Sequence, residues 1–251
     1  MKQRLKKIVI IGATSAIAEH CARHWVATGP AEFVLVGRDP SKLQSVAADL
    51  SVRSPDSKLS LEHGDFTDAS WIDAVVTSIT AGGAPDIVLI AHGTLPSQAD
   101  CQADLHACED ALVVNAISPI LFAERFVGSM QEAGSGTLAI IGSVAGDRGR
   151  KSNYVYGAAK GAVARYAQGL QHRLASTAVR VVLIKPGPTA TPMTEHLQQR
   201  GVKLGDVKSV AARIVKAIEN GTPVVYAPAK WQLIMMVIRH LPRFVFNRMD
   251  I

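Results

Sequence analysis

Three side chains in this sequence could together move a proton at a carbonyl: Ser143, Tyr156 and Lys160. Tyr156 and Lys160 stand four residues apart, so on a helix they share one face and the ammonium can lie near the phenol. A free tyrosine ionises at a pKa of about 10, too high for ready proton exchange near neutrality. A neighbouring cation favours the phenolate, and a drop of ~2 to 3 units takes roughly 3 to 4 kcal/mol of differential stabilisation. Two close positive charges in a dry cleft, Lys160 and one other, could supply it. Tyr156 then works as a general acid or base. Ser143 can donate a hydrogen bond to a developing alkoxide.

Such a site needs a scaffold, and the chain supplies one. Short β-branched runs alternate with longer amphipathic stretches, the pattern of an α/β fold with a parallel sheet covered by helices on both faces. Seven strands are predicted, over Lys7–Ile11, Glu32–Val36, Lys58–Glu62, Asp86–Ala91, Gly136–Ile141, Val179–Ile184 and Pro223–Tyr226. Most are nearly all apolar, as strands buried on two faces should be. Asp39 before Pro40 reads as a helix N-cap, and Thr67 with Ser70 and Trp71 opens another helix. The expectation is a Rossmann-type, doubly wound seven-stranded sheet in a single domain over residues 1–251. It places Ser143 at the C-terminal end of the fifth strand, where open α/β sheets hold ligands.

Composition agrees. The 251 residues are 48% hydrophobic and 19% charged, which excludes disorder and collagen. A net charge of +6 without a long basic run gives no reason to expect nucleic-acid binding. Cys21, Cys101 and Cys108 lack the number and spacing of a disulfide framework or zinc site. Lys2, Arg4, Lys6 and Lys7 precede an apolar run that is too short for a signal peptide, so cytoplasmic residence is the default expectation. His20 and His24 find no third ligand of matching spacing, and no metal is expected.

The first strand runs into Gly12-Ala13-Thr14-Ser15-Ala16-Ile17-Ala18 and then a helical pattern. A tight strand-to-helix turn offers backbone N–H groups and the helix dipole to a pyrophosphate, and Thr14 and Ser15 add hydroxyl donors. After the second strand, Val36-Gly37-Arg38-Asp39 offers a guanidinium in place of the carboxylate that binds unphosphorylated ribose. That favours NADP(H), with NAD(H) as the alternative. Asp65-Phe66, after the third strand, would sit beside the adenine.

The ordered set of Gly12 to Ala18, Asp65, Ile90-Ala91-His92-Gly93, Asn115, Ser143, Tyr156-x-x-x-Lys160 and Pro186-Gly187 followed by Thr191 resembles the short-chain dehydrogenase/reductase family over the full length. Ala16, Ala18 and the stretch from Ile90 to Gly93 depart from its commoner glycines and asparagines. The resemblance implies that Asn115 shapes a proton-relay water path near Lys160, and that Lys160 also holds the nicotinamide ribose. It further implies that Thr191 contacts the carboxamide, and that Ala91, Gly93, Pro186 and Gly187 belong to the cofactor site. Dimers or tetramers are implied as well. Tyr154 has Ala158, not a lysine, four residues on, and falls to the substrate cleft or to packing.

From about residue 229 to 251 the chain is apolar and basic. Trp231, Ile234, Met235 and Ile238 make one helical stripe, while Leu233, Met236 and Val237 carry the apolar surface around the helix. Two covers fit: a core or subunit interface, or an anionic membrane surface drawn to Lys230, Arg239, Arg243 and Arg248. This tail, with Val179 to Gly187 and Pro192 to Leu197, resembles one branch of the family, the decaprenylphosphoryl-2-keto-erythro-pentose reductases. The branch implies a keto-sugar carried on a polyprenyl phosphate, cell-envelope polysaccharide synthesis and peripheral membrane contact. The alternatives are a reductase of a soluble small carbonyl or acyl substrate that uses the tail for oligomerisation, and a noncatalytic NADP(H) sensor. Cys101 and Cys108 are expected on one helix side, and Arg148, Arg150 and Lys151 as a solvated loop cluster rather than a phosphate clamp.

Overall fold

A computed structural model describes residues 4–199 and 201–249. Its strands are β1 (Lys6–Ile11), β2 (Ala31–Gly37), β3 (Lys58–His63), β4 (Ile87–Ile90), β5 (Gly136–Ile141), β6 (Val179–Pro186) and β7 (Val224–Ala227). The helices are α1 (Ala16–Thr28), α2 (Pro40–Arg53), α3 (Ala69–Thr80), α4 (Gln98–Ala103), α5 (Leu105–Leu112), α6 (Ser118–Ala133), α7 (Tyr154–Arg173), α8 (Glu195–Gln199), α9 (Val207–Glu219), α10 (Lys230–His240) and α11 (Arg243–Phe246).

The strands pair in parallel, in the order β3-β2-β1-β4-β5-β6-β7. The order in which strands are added reverses between β1 and β4, the point in a doubly wound sheet where a ligand crevice opens at the strands' C-terminal ends. Alternation of side chains splits the core in two. Ile8, Ile10, Phe33 and Leu35 pack with α1, α2 and α9 on one face, whereas Val9, Ile11, Val34 and Val36 pack with α3, α6 and α7 on the other. Edge strand β3 is an exception to the all-apolar expectation, because it is partly solvated.

Some boundaries move for local reasons. Asp86 stays outside β4, where its carboxylate accepts from the Lys7 backbone N–H at 2.7 Å. β6 runs on to Pro186 because Lys185 and Pro186 pair with Tyr226 and Ala227. Asp39 caps α2 as predicted, accepting from Ser41 and Lys42 N–H. The α3 cap is Asp68, not Thr67, whose N–H and hydroxyl both donate to Asp65. Cys101 and Cys108 do not share a helix: Asp104 ends α4 and caps α5 between them, although the thiols still meet in one small cluster. From Leu105 to Ala133 the chain forms one long apolar helix, half buried, whose Phe122, Phe126 and Met130 are core residues of the fold.

Candidate active site

β5 ends at Ile141, and Gly142 N–H donates to Ile184 O at 2.7 Å, so Ser143 emerges at the sheet's C-terminal edge. Its hydroxyl accepts from Ala145 N–H at 3.1 Å and hydrogen-bonds the Tyr156 phenol. Tyr156 and Lys160 lie on the same face of α7, with Lys160 Nζ 5.9 Å from the phenol ring centre. Lys160 is buried and donates to Ile141 O at 3.2 Å. Burial lowers its pKa to about 8.

Burial pushes the Tyr156 phenol above its ordinary value, with the Ser143 hydrogen bond pulling the other way.

Asn115 sits in a π-helical turn, Val113–Ile117, between α5 and α6. Fully buried, it donates to Ala111 O at 2.9 Å and accepts from Thr94 N–H at 3.0 Å. That ties the loop after β4 to the long helix beside Lys160, since the same side of Gly93 faces both Asn115 Oδ1 and Lys160 Nζ.

At the other end of the cleft, Gly12 turns the chain out of β1 at φ +83°, where a Cβ would stand 2.7 Å from His92 N. Gly12 and Ala13 N–H both donate to Val36 O. Ser15 is the N-cap of α1, yet its side chain makes no cap bond. Gly37 ends β2 and an exposed Arg38 follows it, and buried Phe66 stacks on Trp71 and meets His92 edge-to-face.

One cleft of about 530 Å³ joins these two ends. Gly12, Thr14, Ser15, Ala16, Ile17, Arg38, Phe66, Ala91, Gly93, Asn115, Ser143, Tyr156, Lys160, Pro186, Gly187 and Thr191 all line it. Asp65 does not. Its short carboxylate is turned onto Thr67 N–H and Oγ1 at 2.8 and 2.7 Å, and those bonds hold its pKa down. Tyr154 is also absent from the lining; its phenol oxygen accepts from Gln102 on α4 at 2.9 Å. Sequence reasoning gave no site role to His92, Asn153, Pro188, Thr189, Pro192, Met193, Thr194 or Leu197, which line the cleft around Thr191. The chain around Thr191 is shaped by Thr194 Oγ1 donating to Thr189 O, which no short motif announces.

Of the loop cations, Lys151 is exposed as expected, whereas Arg148 and Arg150 are partly buried. Arg148 Nη1 donates to Ile238 O and Leu241 O at the end of α10, and its guanidinium lies 3.8 Å from the Phe246 ring centre. Arg150 is turned into the cleft. On the tail, Trp231, Met235 and Ile238 pack with Val144 and Tyr226, and Gly187 has no Cβ because the Trp231 indole occupies that space. Leu233, Met236, Val237 and Phe244 face outward. His20 and His24 approach the Ala16 and Lys208 carbonyls, and among the described residues no group of three or more His, Cys, Asp or Glu could hold a metal.

The donor set fits a dinucleotide: a glycine turn at a helix N-terminus, a cation past β2, and a deep cleft ending at a phenol. These features define a Rossmann-type oxidoreductase that uses a nicotinamide cofactor. Residues 6–201 match the family described as short chain dehydrogenase, and the chain belongs to it. An uncharacterized oxidoreductase of Mycobacterium tuberculosis is 32% identical over 243 residues, covering 96% of each chain. An uncharacterized oxidoreductase in the mprA 5′ region of Streptomyces coelicolor is 30% identical, covering 97% of this chain and 96% of its own. Levodione reductase shares the fold at a TM-score of 0.82 with 21% identity, over 92% of this chain and 99% of its own. A short chain dehydrogenase from Burkholderia cenocepacia, solved in complex with NADP, also reaches 0.82, with 18% identity and coverage of 99% and 98%.

Proposed function

We propose that this protein is an NADPH-dependent carbonyl reductase whose substrate is a keto-sugar linked to a polyprenyl phosphate, acting in cell-envelope polysaccharide synthesis at an anionic membrane surface. The observation that carries the reductase reading is the partly buried Tyr156 phenol, hydrogen-bonded to Ser143 on the cleft wall with Lys160 on the same face of α7. Bound reduced nicotinamide supplies the hydride. Ser143 donates to the carbonyl oxygen and steadies the negative charge that grows on it. Tyr156 delivers the proton, and the positive charge of Lys160, about 6 Å from the ring, eases departure of that proton.

The chain from Gly12 to Ile17 would hold the pyrophosphate, with Arg38 on the 2′-phosphate and Phe66, Ala91 and Gly93 around the adenosine. Asn115 and Lys160 would hold the nicotinamide ribose region. Pro186, Gly187 and Thr191 would meet the carboxamide side.

The tail supports the lipid-linked substrate. Leu233, Met236, Val237 and Phe244 expose an apolar face between 53% and 68% accessible. The same segment carries exposed Lys230, Arg239, Arg243 and Arg248, each worth ~1 kcal/mol near an anionic surface. The inner side of α10 packs on Val144, next to Ser143, so a lipid held outside would bring its headgroup to the cleft mouth. The test is NADPH oxidation across a polyprenyl-linked keto-sugar, free keto-sugars and simple ketones. Turnover of the lipid-linked ketone with the highest kcat/KM is expected; preference for a plain ketone would reject the substrate assignment and leave the reductase reading standing.

A further inference from the structure

The loop after Ser143 carries a second cation to the cleft, at the end away from Arg38. Arg150 is partly buried, and its Nε is shielded from solvent with no hydrogen-bond partner. Nη2 meets Met235 Sδ at 3.4 Å, a weak acceptor. The carboxylate that acts on the guanidinium, Asp147, is already engaged by Lys185 Nζ at 2.5 Å and by the Tyr226 hydroxyl at 2.7 Å. Among the described residues, no carboxylate forms a salt bridge with Arg150.

Asn153 N–H donates to Arg150 O at 3.2 Å, closing a tight turn that brings both side chains to one wall. Asparagine directly before a helix usually caps it. Here Gln98 Oε1 takes the Val155 N–H at 3.1 Å, and the Asn153 side chain makes no cap bond. Its Oδ1 is buried and unpartnered. A buried donor or acceptor without a partner destabilises the empty protein and asks for an explanation. On this wall the unmatched pair is one cationic donor and one neutral acceptor.

We propose that Arg150 and Asn153 form the substrate subsite, and that it takes a phosphorylated hydroxy-ketone: the guanidinium binds a phosphoryl oxygen and the Asn153 amide accepts from a substrate hydroxyl. The assignment rests on the reductase reading and names the group that its substrate must carry. It leaves the cofactor phosphates to Arg38 and the Gly12 turn. Arg suits the role because its planar fork grips phosphate and stays charged even when burial pulls its pKa down.

The first experiment needs no turnover. Protein saturated with NADP⁺, so that the nucleotide phosphate positions are filled, is titrated calorimetrically with methyl phosphate. Binding is expected in the native protein, weakened by roughly 10- to 100-fold in Arg150→Met and partly restored in Arg150→Lys, the scale of a charge-assisted hydrogen bond. Melting temperatures report whether each variant is folded. The second experiment compares NADPH oxidation with ribulose, ribulose 5-phosphate and a farnesyl phosphodiester of the same keto-sugar. The native protein should favour the phosphorylated ketones by at least about tenfold in KM, and Arg150→Met should bring that ratio toward one. Of the two phosphorylated arms, the one with the higher kcat/KM identifies a free sugar phosphate or a lipid headgroup as the source. Methyl phosphate that fails to bind, or that binds folded Arg150→Met as tightly as the native protein, overturns the proposal. Methyl phosphate binding without reduction of any ketone would sink the reductase reading and leave the phosphate subsite intact.

Discussion

His92 gives the protein an acid-sensitive point behind its nucleotide cleft. Its ring is packed between Phe66 and Phe122, with Nε2 2.9 Å from Ser118 Oγ and Nδ1 buried without a partner. Burial, followed by the charges of Lys160 and Arg38, lowers the imidazole pKa from 6.5 to about 3. Between those two values the unfolded chain binds a proton that the folded chain refuses. Stability therefore rises with pH across the window and is lost on acidification. At about 1.4 kcal/mol per unit, acidifying from pH 6.5 to 5 removes about 2 kcal/mol. The full span to pH 3 would remove at most ~5 kcal/mol, an upper bound because the residue is only partly buried and faces the cleft. Urea melts at pH 7, 6 and 5 measure this directly. His92→Gln keeps a hydrogen-bonding group toward Ser118 and does not titrate, so its stability should stay nearly flat over that range. Other shifted groups do not imitate the effect. Asp49 and Asp206 are held below 3.8 and act at lower pH, and Glu19, raised by burial, shifts stability in the opposite direction. Equal pH slopes in native and variant proteins would refute the reasoning.

Further outcomes are expected. Tyr156→Phe should lower kcat by roughly 10²- to 10⁴-fold while NADPH affinity, read by fluorescence titration, barely changes, because one hydroxyl is lost from a buried ring. Arg38→Ala should weaken NADPH by about 10- to 100-fold and leave NADH nearly unaffected, with equal losses rejecting the 2′-phosphate role. Lys185→Met strands Asp147 in a site where both side chains are at most 6% exposed, and should destabilise the protein by about 3 to 5 kcal/mol in denaturant melts. Adding Asp147→Asn should recover part of that loss. In flotation, the protein should rise with anionic vesicles and stay down with neutral ones, and Leu233→Glu with Val237→Glu should abolish the association; flotation independent of lipid charge would count against the basic rim.

What was readable in the sequence is what local geometry determines. A four-residue spacing on one helix puts Tyr156 and Lys160 on a common face whatever surrounds them, and Asp39-Pro40 caps α2 through its own neighbours. Of the α10 stripe read from period alone, Trp231, Met235 and Ile238 pack inward on Val144 and Tyr226, while Ile234 does not join that cluster. What escaped depends on partners distant in sequence. Arg150 turns inward near Met235, 85 residues on, and the Asp147 cluster joins Lys185 and Tyr226, 38 and 79 residues away. Asp65 lies off the cleft lining for a local reason, because Thr67, two residues on, donates both its N–H and its hydroxyl to the Asp65 carboxylate.

The Tyr156 phenol feels opposing influences, because burial holds its pKa above the ordinary value and the Ser143 hydrogen bond pulls it down. Lys160 stands on the same face of α7, its Nζ 5.9 Å from the ring centre and bonded to Ile141 O at 3.2 Å. The π-helical turn keeps Asn115 near Lys160, where a Cβ on Gly93 would meet both side chains, and the Asp147–Lys185 pair braces the loop behind Ser143 against β6. These contacts hold the wall around Ser143, Tyr156 and Lys160 from two sides, so the fold itself sets the geometry for hydrogen bonds to a carbonyl oxygen.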